Sequence, residues 1–183
     1  MNHHDMTRNM VLAALFAALT AIGAFLQIPT GTVPITLQFL FTALAGLLLG
    51  WKWGAISQLL YVGIGLLGLP VFTQGGGIGY VLQPSFGFLL GLIPAAAVIG
   101  ALTARRTGYL TVLAAVLVGD LILYAVGVPY MYLILHVYMQ SAKTFPALLA
   151  AMLVYVPGDT LKIIVVTALA PVLRRTLAKA VPN

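Results

Sequence analysis

Apolar residues run along this chain in long blocks, separated by short clusters of glycine, proline and charge. Six blocks stand out, with edges near 9–27, 35–50, 53–69, 84–104, 109–127 and 157–176. Several approach or reach the roughly 20 residues that a membrane-spanning helix needs. None shows the short alternating strands of a closed barrel, so the pattern predicts six helices.

The stretch 128–156 is apolar enough to suggest a seventh helix, but it carries His136, Gln140, Lys143 and Pro146. It is read as a long outer loop holding two short interfacial helices, about 129–140 and 145–154. Prolines punctuate the same side of the chain. Pro34, Pro84 and Pro157 are expected to open helices, where a missing N–H costs nothing. "GLP" at 68–70 and "GVP" at 127–129 are expected to close them.

Composition agrees with a membrane protein: 62% of the 183 residues are hydrophobic and 7% charged. Ordinary domains carry roughly 25% charged residues. The run from Met10 to Leu26 is longer than a signal-peptide core and is followed by no small-residue cleavage site, so it is expected to stay as the first span. Cysteine is absent, which excludes disulfides and thiolate metal sites.

The net charge of +6 is scattered and forms no nucleic-acid face. It reads instead as a topology signal. With the N-terminus cytoplasmic, seven basic residues fall inside: Arg8, Lys52, Arg105, Arg106, Arg174, Arg175 and Lys179. Only Lys143 falls outside, and Lys162 lies within a span. This bias predicts both termini in the cytoplasm and an even number of spans.

The chain holds three acids: Asp5 in the tail, Asp120 and Asp159. Ionisable residues inside spans are costly and point to function. Asp159 and Lys162 are three residues apart and share a helix face. Pro157 and Gly158 put Asp159 in the first turn, where the helix dipole favours a negative charge. The pair is either a self-neutralising ion pair or a ligand clamp of one acceptor and one donor. Asp120 is expected to hydrogen-bond a neighbouring helix, with a proton-relay role as the alternative.

"TQGGGIGYVLQP", residues 73–84, packs four glycines into five positions. Such a backbone bends tightly or approaches a ligand closely. It is neither a dinucleotide fingerprint nor a Walker A motif, and no Walker A motif occurs in the chain. His3, His4 and His136 form no ligand set, and no Ser–His–Asp or H-E-x-x-H pattern appears, so an enzyme is disfavoured. Phe72, Tyr80, Tyr130, Tyr132, Tyr138, Phe145 and Tyr155 gather in the outer loops. They are either an interfacial belt or partly the lining of a pocket for a flat ligand. In the first span Ala13, Ala17 and Ala21 share one face and Ala14 and Ala18 the next. Small residues at this spacing allow close helix approach, within the chain or to another subunit.

"VPITLQ" at 33–38, "GLPVF" at 68–72, the glycine loop ending in "GY" at 79–80 and "PGDTLK" at 157–162 together resemble the BioY family. Its members are the biotin-binding S components of energy-coupling-factor (ECF) transporters in prokaryotic cell membranes. The resemblance covers nearly the whole chain, and "PGD-x-x-K" is its most specific part. It implies an all-α integral membrane protein with the six-helix S-component fold, in which residues 1–183 form one substrate-binding domain. It implies biotin as transported ligand, no resident cofactor, and as partners a membrane coupling subunit and two cytoplasmic ATPases that use ATP. It assigns biotin binding to Asp159 and Lys162, and pocket closure to Gly75, Gly76, Gly77, Gly79 and Tyr80. It assigns coupling-subunit contact to the alanines of the first helix. Members run Gly-Pro-Thr-Gly-Gly-Tyr after the loop, where this chain has "QPSFGF". Gln83 and Phe86 thus replace glycines and are expected to protrude toward the ligand. Within the residues' own chemistry, an S component for another vitamin and a stand-alone carrier using Asp120 as proton site remain alternatives.

Overall fold

The computed structural model describes residues 3–30 and 33–180, with side chains from 5 to 176 in those stretches. His3, His4 and Lys179 therefore have side chains outside the described residues. The architecture is helical. The long helices are α1 (His3–Phe25), α2 (Gln38–Leu66), α3 (Phe86–Leu102), α4 (Tyr109–Leu133) and α6 (Val156–Ala180), with a short α5 (Phe145–Met152) before the last.

α2 is two arms joined at Gly50, whose φ of 78° and ψ of 179° leave the helical region. That conformation favours glycine, because a side chain at positive φ is strained. The chain folds back there. A Cβ placed on Gly54 would lie 2.8 Å from the Cα of Gly46, eight residues earlier. A straight helix would separate those positions by about 12 Å. With the arms taken separately, each of the six blocks read from the sequence is helical.

The helices pack closely because small residues sit at their crossings. A Cβ on Gly46 would meet the carbonyl of Ala96 at 2.4 Å, and one on Gly100 would meet Trp51 N at 2.3 Å. These two glycines seat α3 against the α2 turn, in the manner of small-residue contacts in lipid. Gly119 and Gly127 do the same for α4, against Ile99 and Phe88. The core joins Phe16, Phe39, Leu47, Tyr61, Leu92, Ile99 and Val116 across all the long helices but α6, which adds Ile163 and Val166.

The outside of the bundle is apolar too. Val11, Leu15, Ile22, Leu117, Leu121, Leu161 and Ile164 are exposed. Among the described residues, Asp5–Phe25, Gln38–Leu66, Tyr109–Tyr138 and Phe145–Thr176 are long and apolar enough to cross a membrane, with Phe86–Leu102 as a shorter apolar helix. The apolar exterior and these helices describe a multi-pass membrane protein.

Two expectations about prolines give way. α4 runs through Pro129 to Leu133 and continues as a π-helical turn, Ile134–Tyr138. The "GVP" exit and a separate helix from 129 therefore do not exist, and the loop expected from 128 begins after Tyr138. A membrane helix tolerates a proline where neighbours or local π geometry re-satisfy the freed backbone. Pro34 and Pro84 also lie ahead of their helices, which start at Gln38 and Phe86. Of these three, Pro157 alone sits in a first helical turn, as Pro146 does in α5.

Between α1 and α2 the chain forms a small antiparallel hairpin, β1 (Gln27–Ile28) and β2 (Ile35–Thr36), pairing Gln27 with Thr36 and Ile28 with Ile35. This hairpin, the 67–85 connection and α5 lie at one end of the bundle. Gly50 and the 103–108 connection lie at the other. There Arg174 donates to the carbonyls of Leu47 (2.8 Å) and Thr103 (3.4 Å), closing the ends of two helices. This arginine is therefore a structural clamp as well as a topology signal.

Candidate functional site

The end that carries the hairpin holds a cavity lined mainly by apolar side chains. Every long helix except α1 contributes to its wall. β2 supplies Ile35 and Thr36, α2 supplies Gln38 and Phe39, and α3 supplies Phe88, Leu89 and Leu92. α4 adds Leu123 and Tyr124, and α6 adds Asp159 and Lys162. Tyr80 and Tyr155 close the sides.

The first turn of α6 sets the polar face. Asp159 and Lys162 are buried, at 6% and 7% exposure. Nζ of Lys162 lies 2.5 Å from Oδ1 of Asp159 and donates to the carbonyl of Thr36 at 3.2 Å. The hydroxyl of Tyr124 donates to Oδ2 of Asp159. Each carboxylate oxygen thus has a partner, as a buried charge requires. Two of the three ammonium donors are filled by the protein.

A relay leads away from this cluster. Thr36 Oγ1 donates to Oε1 of Gln38 (2.9 Å), and Nε2 of Gln38 donates to the Tyr61 hydroxyl (2.7 Å). Tyr61 in turn donates to the carbonyl of Val71 (3.1 Å). The clamp residues, the hairpin and the connection after α2 are therefore one hydrogen-bonded unit. On the opposite side the Tyr155 hydroxyl donates to the carbonyl of Val33, tying the hairpin to the start of α6.

The glycine loop packs against the protein's own backbone at Gly76. Gly75, Gly76, Gly77 and Gly79 do not line the cavity, nor does Gln83. Gly75 and Gly77 adopt φ of 108° and 99°, and a Cβ on Gly76 would fall 2.1 Å from the carbonyl of Leu69. The amide of Gly77 donates to Gly65 O at 2.7 Å. The loop folds onto the end of α2 and presses Phe72 into the core, its ring 5.5 Å from Tyr61 and 4.6 Å from Tyr80. Of this region Tyr80, Thr73 and Ser85 reach the cavity. Phe86 does not protrude either; it is buried between Tyr80 and Tyr130.

Tyr80 and Tyr155 line the cavity among the loop aromatics, whereas Tyr138 is exposed. Tyr124 escaped the sequence reading because it lies in an apolar helix without a motif of its own, and Phe88 stood inside "QPSFGF" without being singled out. Thr36 and Gln38 stood inside "VPITLQ", but nothing in that string says that its backbone faces Lys162. Asp120 is not bonded as expected: its Oδ1 is buried without a hydrogen-bond partner among the described residues. The alanine set divides. Ala13 and Ala17 are spent on internal packing, at 2% and 4% exposure, and Ala21 is half-buried. Ala14 and Ala18 remain exposed.

Comparison with known proteins follows the same lines. The family model described as "BioY family" matches residues 1–179. A probable biotin transporter BioY of Lysinibacillus sphaericus is 54% identical over 141 residues, covering 76% of this chain and 72% of that protein. The biotin transporter BioY of Thermotoga maritima is 35% identical over 164 residues, covering 89% and 94%. Among solved structures, the crystal structure of the S-component for biotin from an ECF-type ABC transporter superposes with a TM-score of 0.84 at 30% identity, over 96% of this chain and 95% of that one.

Proposed function

The chain belongs to the BioY family, and from that premise we propose that it captures biotin as the S component of an ECF-type transporter. The observation that carries the reading is the buried Asp159–Lys162 pair on the wall of a largely apolar cavity. Biotin offers a ureido group with N–H donors beside a carbonyl oxygen, a compact apolar bicycle and an anionic valerate tail. Asp159 accepts a ureido N–H. Lys162, beside it, donates to the ureido oxygen. The valerate is the poorer partner for this lysine, because it would set a second carboxylate against Asp159. The bicycle packs on Phe88, Tyr80 and Leu92, and the tail points to the mouth.

Residues 1–183 act as one transmembrane domain that crosses the membrane six times, the two arms of α2 counting separately. Lys52, Arg105, Arg106 and Arg174 gather at the end of the bundle away from the cavity. The positive-inside rule therefore supports cytoplasmic termini and a cavity that opens outward. A coupling subunit and two ATPases supply the energy. The exposed Ala14 and Ala18 are the part of the alanine set still free to meet that subunit.

Isothermal titration with biotin tests the clamp. Asp159→Asn and Lys162→Ala each weaken binding at least about a hundredfold, the cost of leaving one buried charge unpaired. Parent-like affinity in both variants overturns the reading.

A further inference from the structure

Asp120 is the acid that the clamp leaves over. Asp5 pairs with Arg8 at 3.9 Å near the N-terminus, and Asp159 is in the clamp. The buried Oδ1 of Asp120 has no hydrogen-bond partner among the described residues. A buried acceptor left open is costly and calls for an explanation.

Its place in the fold supplies one. α4 ends, and α6 begins, at the cavity end of the bundle, so the two helices run antiparallel. The Tyr124–Asp159 bond fixes their register. Asp120 lies four residues below Tyr124 on the same face of α4, and Lys162 lies three residues below Asp159 on α6. At about 1.5 Å per residue, the two steps descend roughly 6 and 4.5 Å. Tyr124–Asp159 is an upper rung between the helices, and the same descent sets Asp120 and Lys162 at one lower level.

The upper rung is closed and the lower level open. Lys162 turns its ammonium to Asp159 and Thr36, and its third N–H has no protein partner among the described residues. The flexible four-carbon stem of a lysine lets the ammonium shift between neighbouring acceptors.

We propose that Asp120 is a positioning residue, the alternate counter-ion that holds Lys162 once a ligand N–H has claimed Asp159. Ligand binding breaks the Lys162–Asp159 contact. Asp120 accepts the released N–H and keeps the ammonium under the ligand carbonyl. The charge stays paired throughout, and the open acceptor is closed only in the loaded state. The inference rests on the reading of Asp159 and Lys162 as the biotin clamp.

A double-mutant cycle read by biotin titration tests it. Asp120→Asn weakens binding about tenfold, the size of one charge-assisted hydrogen bond. In the Lys162→Gln background the same substitution has no effect. If Lys162→Gln binds too weakly to titrate, the melting shift produced by millimolar biotin gives the same cycle. Without biotin, Asp120→Asn melts no lower than the parent. A purely structural Asp120 would instead lower the melting temperature and weaken binding alike in both backgrounds. That result, or parent-like affinity in Asp120→Asn, overturns the inference. The two readings fail separately: the clamp falls if Asp159→Asn and Lys162→Gln bind as the parent does, whereas only the Asp120 role falls if they weaken and Asp120→Asn does not.

Discussion

A buried ammonium 2.5 Å from a carboxylate is chemically ambiguous: it is suited to an oxygen of either a neutral or an anionic group. The surroundings decide. Asp159 sits beside the ammonium, so a ligand carboxylate at this point meets a second one. A neutral carbonyl does not. Biotinamide, whose tail carries no charge, is therefore expected to bind within about tenfold of biotin. A ureido analogue with the carbonyl oxygen replaced by sulfur is expected to bind much more weakly, since sulfur accepts hydrogen bonds poorly. Titration of the two against the parent protein checks this. A hundredfold loss for biotinamide with full retention of the thio analogue would reassign Lys162 to the valerate.

Among the elements, the glycine loop shows how one composition serves two very different ends. Glycines close to a ligand and glycines close to the protein's own backbone look alike in sequence. For Gly76 the second case holds, since it faces the carbonyl of Leu69, whereas no atom lies within 4 Å of a Cβ on Gly79. Gly76→Ala is expected to cost about 1–3 kcal/mol through overpacking, seen as a lower melting temperature. Gly79→Ala is expected to stay within about 0.5 kcal/mol of the parent and to bind biotin equally well. A loss of binding in Gly79→Ala with an unchanged melting temperature would return this glycine to the ligand. The same logic explains Pro129: the sequence marks a helix breaker, but packing of Val128 and Met131 in a buried cluster with Leu135 and Leu148 carries α4 through it.

For the whole molecule, orientation and assembly are open to one labelling experiment, because the chain has no cysteine of its own. Single cysteines at Lys143 and Lys52, both exposed, report the two ends of the bundle. A membrane-impermeant maleimide is expected to label the first in intact cells and the second only after permeabilisation; the reverse order inverts the topology. A cysteine in place of Ala18 reports assembly. It should react with a lipid-soluble maleimide in the isolated protein and be protected once the coupling subunit is present. Equal reactivity in both states removes Ala18 from the docking face.

The sequence by itself determined the membrane class, the six helical blocks and the pairing of Asp159 with Lys162. Each follows from local quantities: the length of an apolar run, the density of charge, and a three-residue step on one helix. The "PGDTLK" string and its companions also carried the family. Tertiary structure alone decided what faces the pair. Thr36 meets Lys162 across 126 positions, and Tyr124 meets Asp159 across 35. It also sorted the alanines of α1 into buried and exposed, took the loop glycines out of the cavity, and left Asp120 with an open oxygen. None of these is periodic or local. Each depends on which faces of separate helices meet, and close packing, rather than residue type, sets those meetings.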